Sequence, residues 1–130
     1  MAFYVDTSAL VKLVVAERET AALSAWARAA EAPLVSSDLA RAELVRAVRR
    51  AAPDAVIQAR AVLDSLTLLS LSTATVESAG QLDPTLLRTL DALHLASALS
   101  LGDDLDAVIT YDDRLAAAAS AYGVTVNAPS

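Results

Sequence analysis

The stretch "FYVDTSALVKL", residues 3–13, decides the fold. It begins as an apolar run typical of a buried strand, reaches an acid at Asp6, and continues through Thr7 and Ser8 into residues that favour a helix. Asp6 has two interpretations. It caps the helix, because aspartate accepts hydrogen bonds from the first free amides, or it is a functional group, because open parallel sheets bind their ligands at the carboxyl ends of strands.

The rest of the chain repeats this alternation of strand and helix. Strand-like runs are predicted at residues 2–5, 33–36, 67–71, 107–110 and 124–126. Helical patterns are predicted at residues 8–16, 17–31, 37–50, 53–65, 76–82, 86–101 and 112–122, with Gly102 closing the long helix. Such alternation favours parallel pairing through right-handed crossovers, and therefore a three-layer α/β/α sandwich around a mostly parallel sheet. With no internal repeat or change in composition, we expect a single domain over residues 1–130.

Composition narrows the class of protein. Hydrophobic residues make up 55% of the chain, there is no cysteine, and charged residues interrupt every long apolar run. These features predict a soluble, cytoplasmic protein without disulfides and without association with a membrane. Taken alone, the net charge of −6 argues against a nucleic-acid binder, because phosphate backbones favour basic surfaces. Arginine is nevertheless concentrated in one stretch, where Arg46, Arg49 and Arg50 are candidates for contacts with phosphate or with a partner.

Two acids fall on helical faces that should be apolar. In the predicted helix 86–101, Asp91 lies near the middle of the apolar arc, where a carboxylate is costly unless it is paired or bound to metal. The alternative is that Asp91 is partly solvated in the first turn, favoured by the helix dipole. Glu43 lies at the edge of the apolar face of its helix, and its alternative is an intrahelical pair with Arg46 or Arg50.

Asp112 repeats the situation of Asp6. It follows the strand 107–110 and opens a helix, so capping is again the competing interpretation. Four acids from four separate segments at one sheet edge would repel each other strongly unless a cation joined them. With no cysteine and one histidine, oxygen ligands favour Mg²⁺ or Mn²⁺ over zinc. Such a metal can activate water against a phosphodiester.

Four segments together resemble a known family: "YVDTSALVKL", "SDLARAELVRAVRR", "LRTLDALHLASAL" and "VITYDDRLAAAASAYGVTV". They are similar, in order and over nearly the whole chain, to the PIN-domain ribonucleases, and more narrowly to the VapC-type toxins of VapBC toxin–antitoxin systems. The resemblance implies an acidic pocket for Mg²⁺ or Mn²⁺ in which RNA is cleaved by metal-activated water. The implied catalytic and metal-binding residues are Asp6, Glu43, Asp91 and Asp112.

Within that set the resemblance makes Asp6 and Asp91 the most direct ligands. Glu43 binds metal or orients the water, and Asp112 supports a second position. The hydroxyls of Ser8 and Thr110 match positions that line the pocket. The resemblance also implies a structured RNA substrate such as tRNA or rRNA, a homodimer, and a cognate VapB-type antitoxin.

Two other functions are compatible with the fold class, and the role of His94 has two interpretations. A PIN-like scaffold could bind a partner without catalysis, although all four acids are present. His94 is a candidate general base, but a lone histidine one turn from Asp91 is more often a hydrogen-bonded packing residue. A receiver-like signalling domain is disfavoured, because the third strand carries no acid and Lys12 is the only lysine.

Overall fold

A computed structural model describes all residues from Met1 to Ser130. Five parallel strands form one sheet in the order β3-β2-β1-β4-β5. The strands are β1 (Ala2–Val5), β2 (Leu34–Ser37), β3 (Thr67–Leu69), β4 (Leu105–Ile109) and β5 (Val126–Asn127). The sheet has helices on both faces, which confirms the predicted three-layer α/β/α fold; the sheet is entirely rather than mostly parallel.

Seven α-helices connect and cover the strands. They are α1 (Thr7–Lys12), α2 (Thr20–Ala29), α3 (Leu39–Ala51), α4 (Val56–Asp64), α5 (Thr73–Ala79), α6 (Thr89–Leu99) and α7 (Asp113–Ala121). Short 3₁₀ turns at Pro53–Ala55 and Gly102–Asp104 precede α4 and β4. None of these helices is long and apolar enough to cross a membrane.

The central strand β1 divides the core into two layers. Val5 packs with buried residues of α1, α2, α3 and α4 on one face of the sheet. Tyr4, its neighbour in the strand, packs on the other face with Ala98 of α6. This alternation follows from the two-residue period of a strand, and both faces of β1 are apolar because both are covered.

The register of β1 against β4 positions the site. Val5 lies opposite Ile109, and the amide of Asp6 donates to the carbonyl of Ile109 at 3.1 Å. Because the two strands are parallel, Asp6 and Thr110 leave the sheet side by side at its carboxyl edge.

Several predicted helix boundaries were wrong. The helix predicted at 8–16 ends at Lys12, and the one predicted at 76–82 lies at Thr73–Ala79 because the hydroxyl of Ser72 caps it, accepting from the amide of Thr75. The helix predicted at 86–101 begins only at Thr89. It ends before Gly102, which has a positive φ of 57° and opens the following 3₁₀ turn instead of capping the helix.

Candidate active site

Asp6 lies between β1 and α1 and is 3% exposed. Its Oδ1 accepts from the hydroxyl of Ser8 at 2.7 Å and from the amide of Ala9 at 3.2 Å, so Asp6 does cap the helix. Its Oδ2 accepts from the hydroxyl of Thr110 at 2.8 Å. Burial raises the pKa of Asp6, and these hydrogen bonds only partly offset that effect. The capping interpretation is therefore correct, and it does not exclude a second role.

Ser8 and Thr110 connect Asp6 to the segment that follows β4. The Ser8 hydroxyl accepts from the amide of Tyr111 at 3.0 Å. The Thr110 hydroxyl accepts from the amide of Asp112 at 3.0 Å. The two predicted pocket-lining hydroxyls are thus in contact with the first acid and hold the chain that carries the fourth.

Glu43 points from α3 toward α1 and α6. Its Oε1 accepts from the hydroxyl of Thr7 at 2.9 Å and contacts Nε2 of His94 at 2.6 Å. The intrahelical pair with Arg46 or Arg50 that the spacing allowed is absent, because the carboxylate is committed to these tertiary partners. Burial raises the pKa of Glu43, but the bond and the charge of His94 and the bond of Thr7 outweigh it, and the net pKa is below the ordinary value.

His94 is 3% exposed and links Glu43 to the core. The hydroxyl of Tyr4 lies 2.8 Å from its Nδ1. Burial raises the pKa of Tyr4 to about 12, so the phenol stays protonated. Nε2 of His94 carries the proton that it donates to the ionised Glu43, and Nδ1 is hydrogen-bonded to the phenol of Tyr4. The interpretation of His94 as a hydrogen-bonded packing residue agrees with this arrangement.

Asp91 and Asp112 form the other half of the site. Asp91 lies in the first turn of α6 and is 8% exposed, so it is both N-terminal and buried. Asp112 caps α7, with Oδ1 accepting from the amides of Arg114 and Leu115 at 2.9 and 3.1 Å. Arg88 joins the two acids: its Nε donates to Oδ2 of Asp91 at 3.0 Å and a terminal nitrogen donates to Oδ2 of Asp112 at 2.9 Å.

The predicted acids thus occur in three linked groups at the carboxyl edge of the sheet. Thr110 joins the Asp6 group to Asp112, and Arg88 joins Asp112 to Asp91. Glu43 lies beside Thr7, the residue after Asp6. No three histidine, aspartate or glutamate side chains are arranged to hold a metal ion.

The chemistry of the donor set nevertheless fits a hard divalent cation. Carboxylate and hydroxyl oxygens dominate, and the one positive side chain that contacts two of these acids is Arg88. As the resemblance implies, Asp6 and Asp91 would be the direct ligands of such an ion, with Glu43 and Asp112 in supporting positions, although the four acids are not arranged around one point in this structure. The assignment of metal ligands remains a prediction.

Sequence reasoning missed three partners in the site: Thr7, Arg88 and Tyr4. The contact of Arg88 with Asp91 could have been predicted from the sequence. Arg88 lies three residues before Asp91 within the helix predicted at 86–101, and residues at this spacing are neighbours on a helix. The contact between Tyr4 and His94 joins residues 90 positions apart and left no local signal.

The arginines of α3 flank this site on one side. Arg46 and Arg50 line a cavity of about 420 Å³ together with Thr7 and Glu43. Arg49 joins them around a second depression of about 270 Å³. None of the three arginines takes part in a salt bridge within the chain.

Comparison with known proteins identifies the class. The PIN-domain profile matches residues 3–121. The chain therefore belongs to the PIN-domain family, among its VapC-type members. Ribonuclease VapC46 of Mycobacterium tuberculosis is 47% identical over 129 residues, covering 99% of this chain and 98% of that protein. Ribonuclease VapC47 of the same organism is 38% identical over 130 residues, covering 97% and 96%.

A solved structure shares the fold. The crystal structure of VapC20 of M. tuberculosis, a toxin that cleaves the sarcin–ricin loop, superimposes with a TM-score of 0.78 over 95% of this chain and 96% of that one. The two sequences are 17% identical, so this likeness concerns the fold. It confirms the PIN-like architecture expected from the sequence.

Proposed function

We propose that this chain is the toxin of a VapBC-type toxin–antitoxin pair and acts as a Mg²⁺- or Mn²⁺-dependent endoribonuclease. The observation that supports the proposal is a hydrogen-bond network that links Asp6 through Thr110 to Asp112, and Asp112 through Arg88 to Asp91. Glu43 bonds to Thr7, the residue after Asp6. This network occurs in a chain 47% identical to a ribonuclease over nearly its whole length. A divalent ion bound there would supply Lewis-acid activation of the phosphodiester and of the attacking water.

The chain's own groups hold this site in shape. Ser8 and Thr110 fix both oxygens of Asp6 by hydrogen bonds, so its carboxylate has one orientation. Thr7 and His94 both donate to Oε1 of Glu43 and keep this carboxylate ionised, which suits a group that accepts a proton from water. Such supporting hydrogen bonds preorganise the groups that face the reacting atoms.

The arginines of α3 supply a path for the RNA backbone. Arg46 and Arg50 line the cavity that also contains Glu43, and neither is neutralised by an acid of the chain. Guanidinium groups bind phosphate in a bidentate manner. Because the chain is acidic overall, we infer that these few contacts orient the RNA while its shape and exposed single-stranded bases determine selection.

The substrate and partners follow from the relatives. As the resemblance to the VapC-type toxins implies, a structured RNA, either rRNA or tRNA, is the substrate class we propose here. A cognate VapB-type antitoxin and a homodimer complete the proposal. Arg49, which is exposed and lines the second depression with Arg46 and Arg50, is available to either RNA or the antitoxin.

Cleavage by purified protein tests the function. We expect the wild-type chain to cut a structured RNA in Mg²⁺ or Mn²⁺ and to stop when EDTA is added. Asp6→Ala and Asp91→Ala should be inactive. Asp64→Asn, which removes an exposed acid far along the chain from these segments, is the matched control and should retain activity. Cleavage by Asp6→Ala at the wild-type rate would overturn the mechanism.

The rival is a scaffold without catalysis, and the absence of three converging ligands gives it some support. Calorimetric titration with Mn²⁺ separates the two. Stoichiometric binding that Asp91→Ala abolishes supports the nuclease, whereas a folded wild-type chain that neither binds Mn²⁺ nor cuts RNA supports the scaffold.

A further inference from the structure

Arg88 forms hydrogen bonds with two of the acids that are proposed to hold a metal ion. It immediately precedes α6, and its guanidinium reaches Asp91, three residues away, and Asp112, twenty-four residues away. In each acid the contacted atom is Oδ2, and Arg88 is the only side chain or amide that donates to that oxygen. The two acids thus share one monovalent cation.

The charges around Arg88 do not balance. The side chains of Asp91 and Asp112 are 12% and 23% exposed, so water screens them only in part. Two carboxylates against one guanidinium leave a net negative charge, and Asp6 lies next to them through Thr110. A divalent ion would satisfy this site better than Arg88 does. At Asp112, whose Oδ1 already accepts two amides, the ion would need the same Oδ2 atom that Arg88 contacts.

Arg88 is also free to leave. Its side chain is 59% exposed, and no part of it is fixed by a third partner. Exposed ion pairs of this kind are individually weak. Swinging the guanidinium into solvent breaks two contacts and leaves the core unchanged.

We propose that Arg88 is an exchangeable counter-cation: it neutralises Asp91 and Asp112 while no metal is bound, and a divalent ion displaces it from at least one of them. The released guanidinium remains at the rim of the acidic pocket, where it can bind a phosphate of the RNA. This inference rests on the proposed function, since it concerns the metal and the RNA of the same site.

Metal titration of the RNA-free protein tests the exchange. Calorimetry with Mn²⁺ should show that Arg88→Gln binds the ion more tightly than wild type, on the order of 3- to 10-fold, because no resident cation competes. Arg88→Lys should fall between them. Arg114→Gln is the matched control: it removes the same charge one residue beyond Asp113, but its side chain bonds neither acid. An equal gain in Arg114→Gln, or none in Arg88→Gln, would overturn the proposal.

A second readout follows Arg88 in the wild-type protein itself. The Nε–H resonance of Arg88 in wild-type protein should move in proportion to the occupancy of the site as Mg²⁺ is added, and it is assigned by its absence from Arg88→Gln. A resonance unchanged at saturating Mg²⁺ would overturn the exchange while leaving the nuclease intact. Absence of any metal binding in both wild type and Arg88→Gln would overturn the exchange and the metal-dependent function together.

Discussion

Asp6 combines a structural role with a proposed chemical one. Its carboxylate caps α1 and accepts two hydroxyl hydrogen bonds, yet burial still raises its pKa. The folded state therefore binds a proton at this group more readily than the unfolded state does. As the pH rises above the ordinary aspartate pKa of about 3.9 and through the raised folded value, ionisation of Asp6 reduces the free energy of unfolding.

The variant Asp6→Asn separates the two roles. It has no proton to lose, and Thr110 can turn its hydroxyl toward Ser8, whose oxygen is 3.3 Å away. We expect the stability of Asp6→Asn relative to wild type to increase as the pH rises from the ordinary aspartate pKa through the raised folded value and then to level off, as measured by urea unfolding at a series of pH values. Cleavage should fall by about 100-fold or more, because a metal contributes several kcal/mol of charge stabilisation.

Asp64→Asn controls for the removal of one surface charge, since Asp64 is exposed and makes no hydrogen bond through its side chain. A stability difference between Asp6→Asn and wild type that stays constant with pH, or declines, would contradict the assigned cost of burying this carboxylate.

At the scale of elements, the turn between β4 and α7 illustrates how much local sequence specifies. The strand at Leu105–Ile109, the cap at Asp112 and the helix after it all follow from residue pattern, and the structure has them within two residues of the predicted bounds. The connection after α1 does not follow from pattern. There the helix ends at Lys12, although it was predicted to continue to residue 16, and the Lys12 side chain binds Glu17 and Glu19 across the loop.

In the candidate site, too, some features could be predicted from the local sequence and others depend on contacts between distant elements. The places of Asp6 and Asp112 at strand ends were predictable from the sequence, because parallel strands end at one sheet edge. The inward position of Asp91 was predictable from the helical period. The partners of Glu43 were not, since His94 and Thr7 reach it from other elements, 51 and 36 residues away in the chain.

Two substitutions at Asp112 distinguish a cap from a catalytic carboxylate. Asp112→Asn keeps an oxygen for the amides of Arg114 and Leu115, so α7 should retain its cap. Asp112→Ala loses it, at a cost of about 1 kcal/mol in the free energy of unfolding. Because both variants remove the charge, we expect both to lose most RNA cleavage.

Urea unfolding and cleavage rates measured on the same preparations check this pair. If Asp112→Asn cleaves RNA as fast as wild type while Asp112→Ala does not, then Asp112 acts only as a cap, and it leaves the set of proposed metal-binding residues.

At the scale of the whole molecule, the charge distribution is uneven in a way that suits a selective nuclease. The chain carries a net charge of −6, so its average field repels RNA. The unpaired arginines of α3 are placed beside the acidic edge, and two of them share a cavity with Glu43. Attraction is therefore local, and binding should depend on the few phosphates that reach these side chains.

The double variant Arg46→Gln/Arg50→Gln measures that local attraction. If both arginines contact phosphates of a single-stranded segment, the slope of log affinity against log salt should decrease by about 1.4 in magnitude, since each such contact contributes about 0.7. Binding is measured in an Asp6→Asn background, where we expect RNA cleavage to be at least about 100-fold slower. Arg18→Gln/Arg28→Gln, which removes two exposed arginines at or near α2, is matched in net charge and should leave the slope unchanged. An equal change in both double variants would show that the affinity for RNA depends only on the total charge of the protein. The proposed path along α3 would then be wrong.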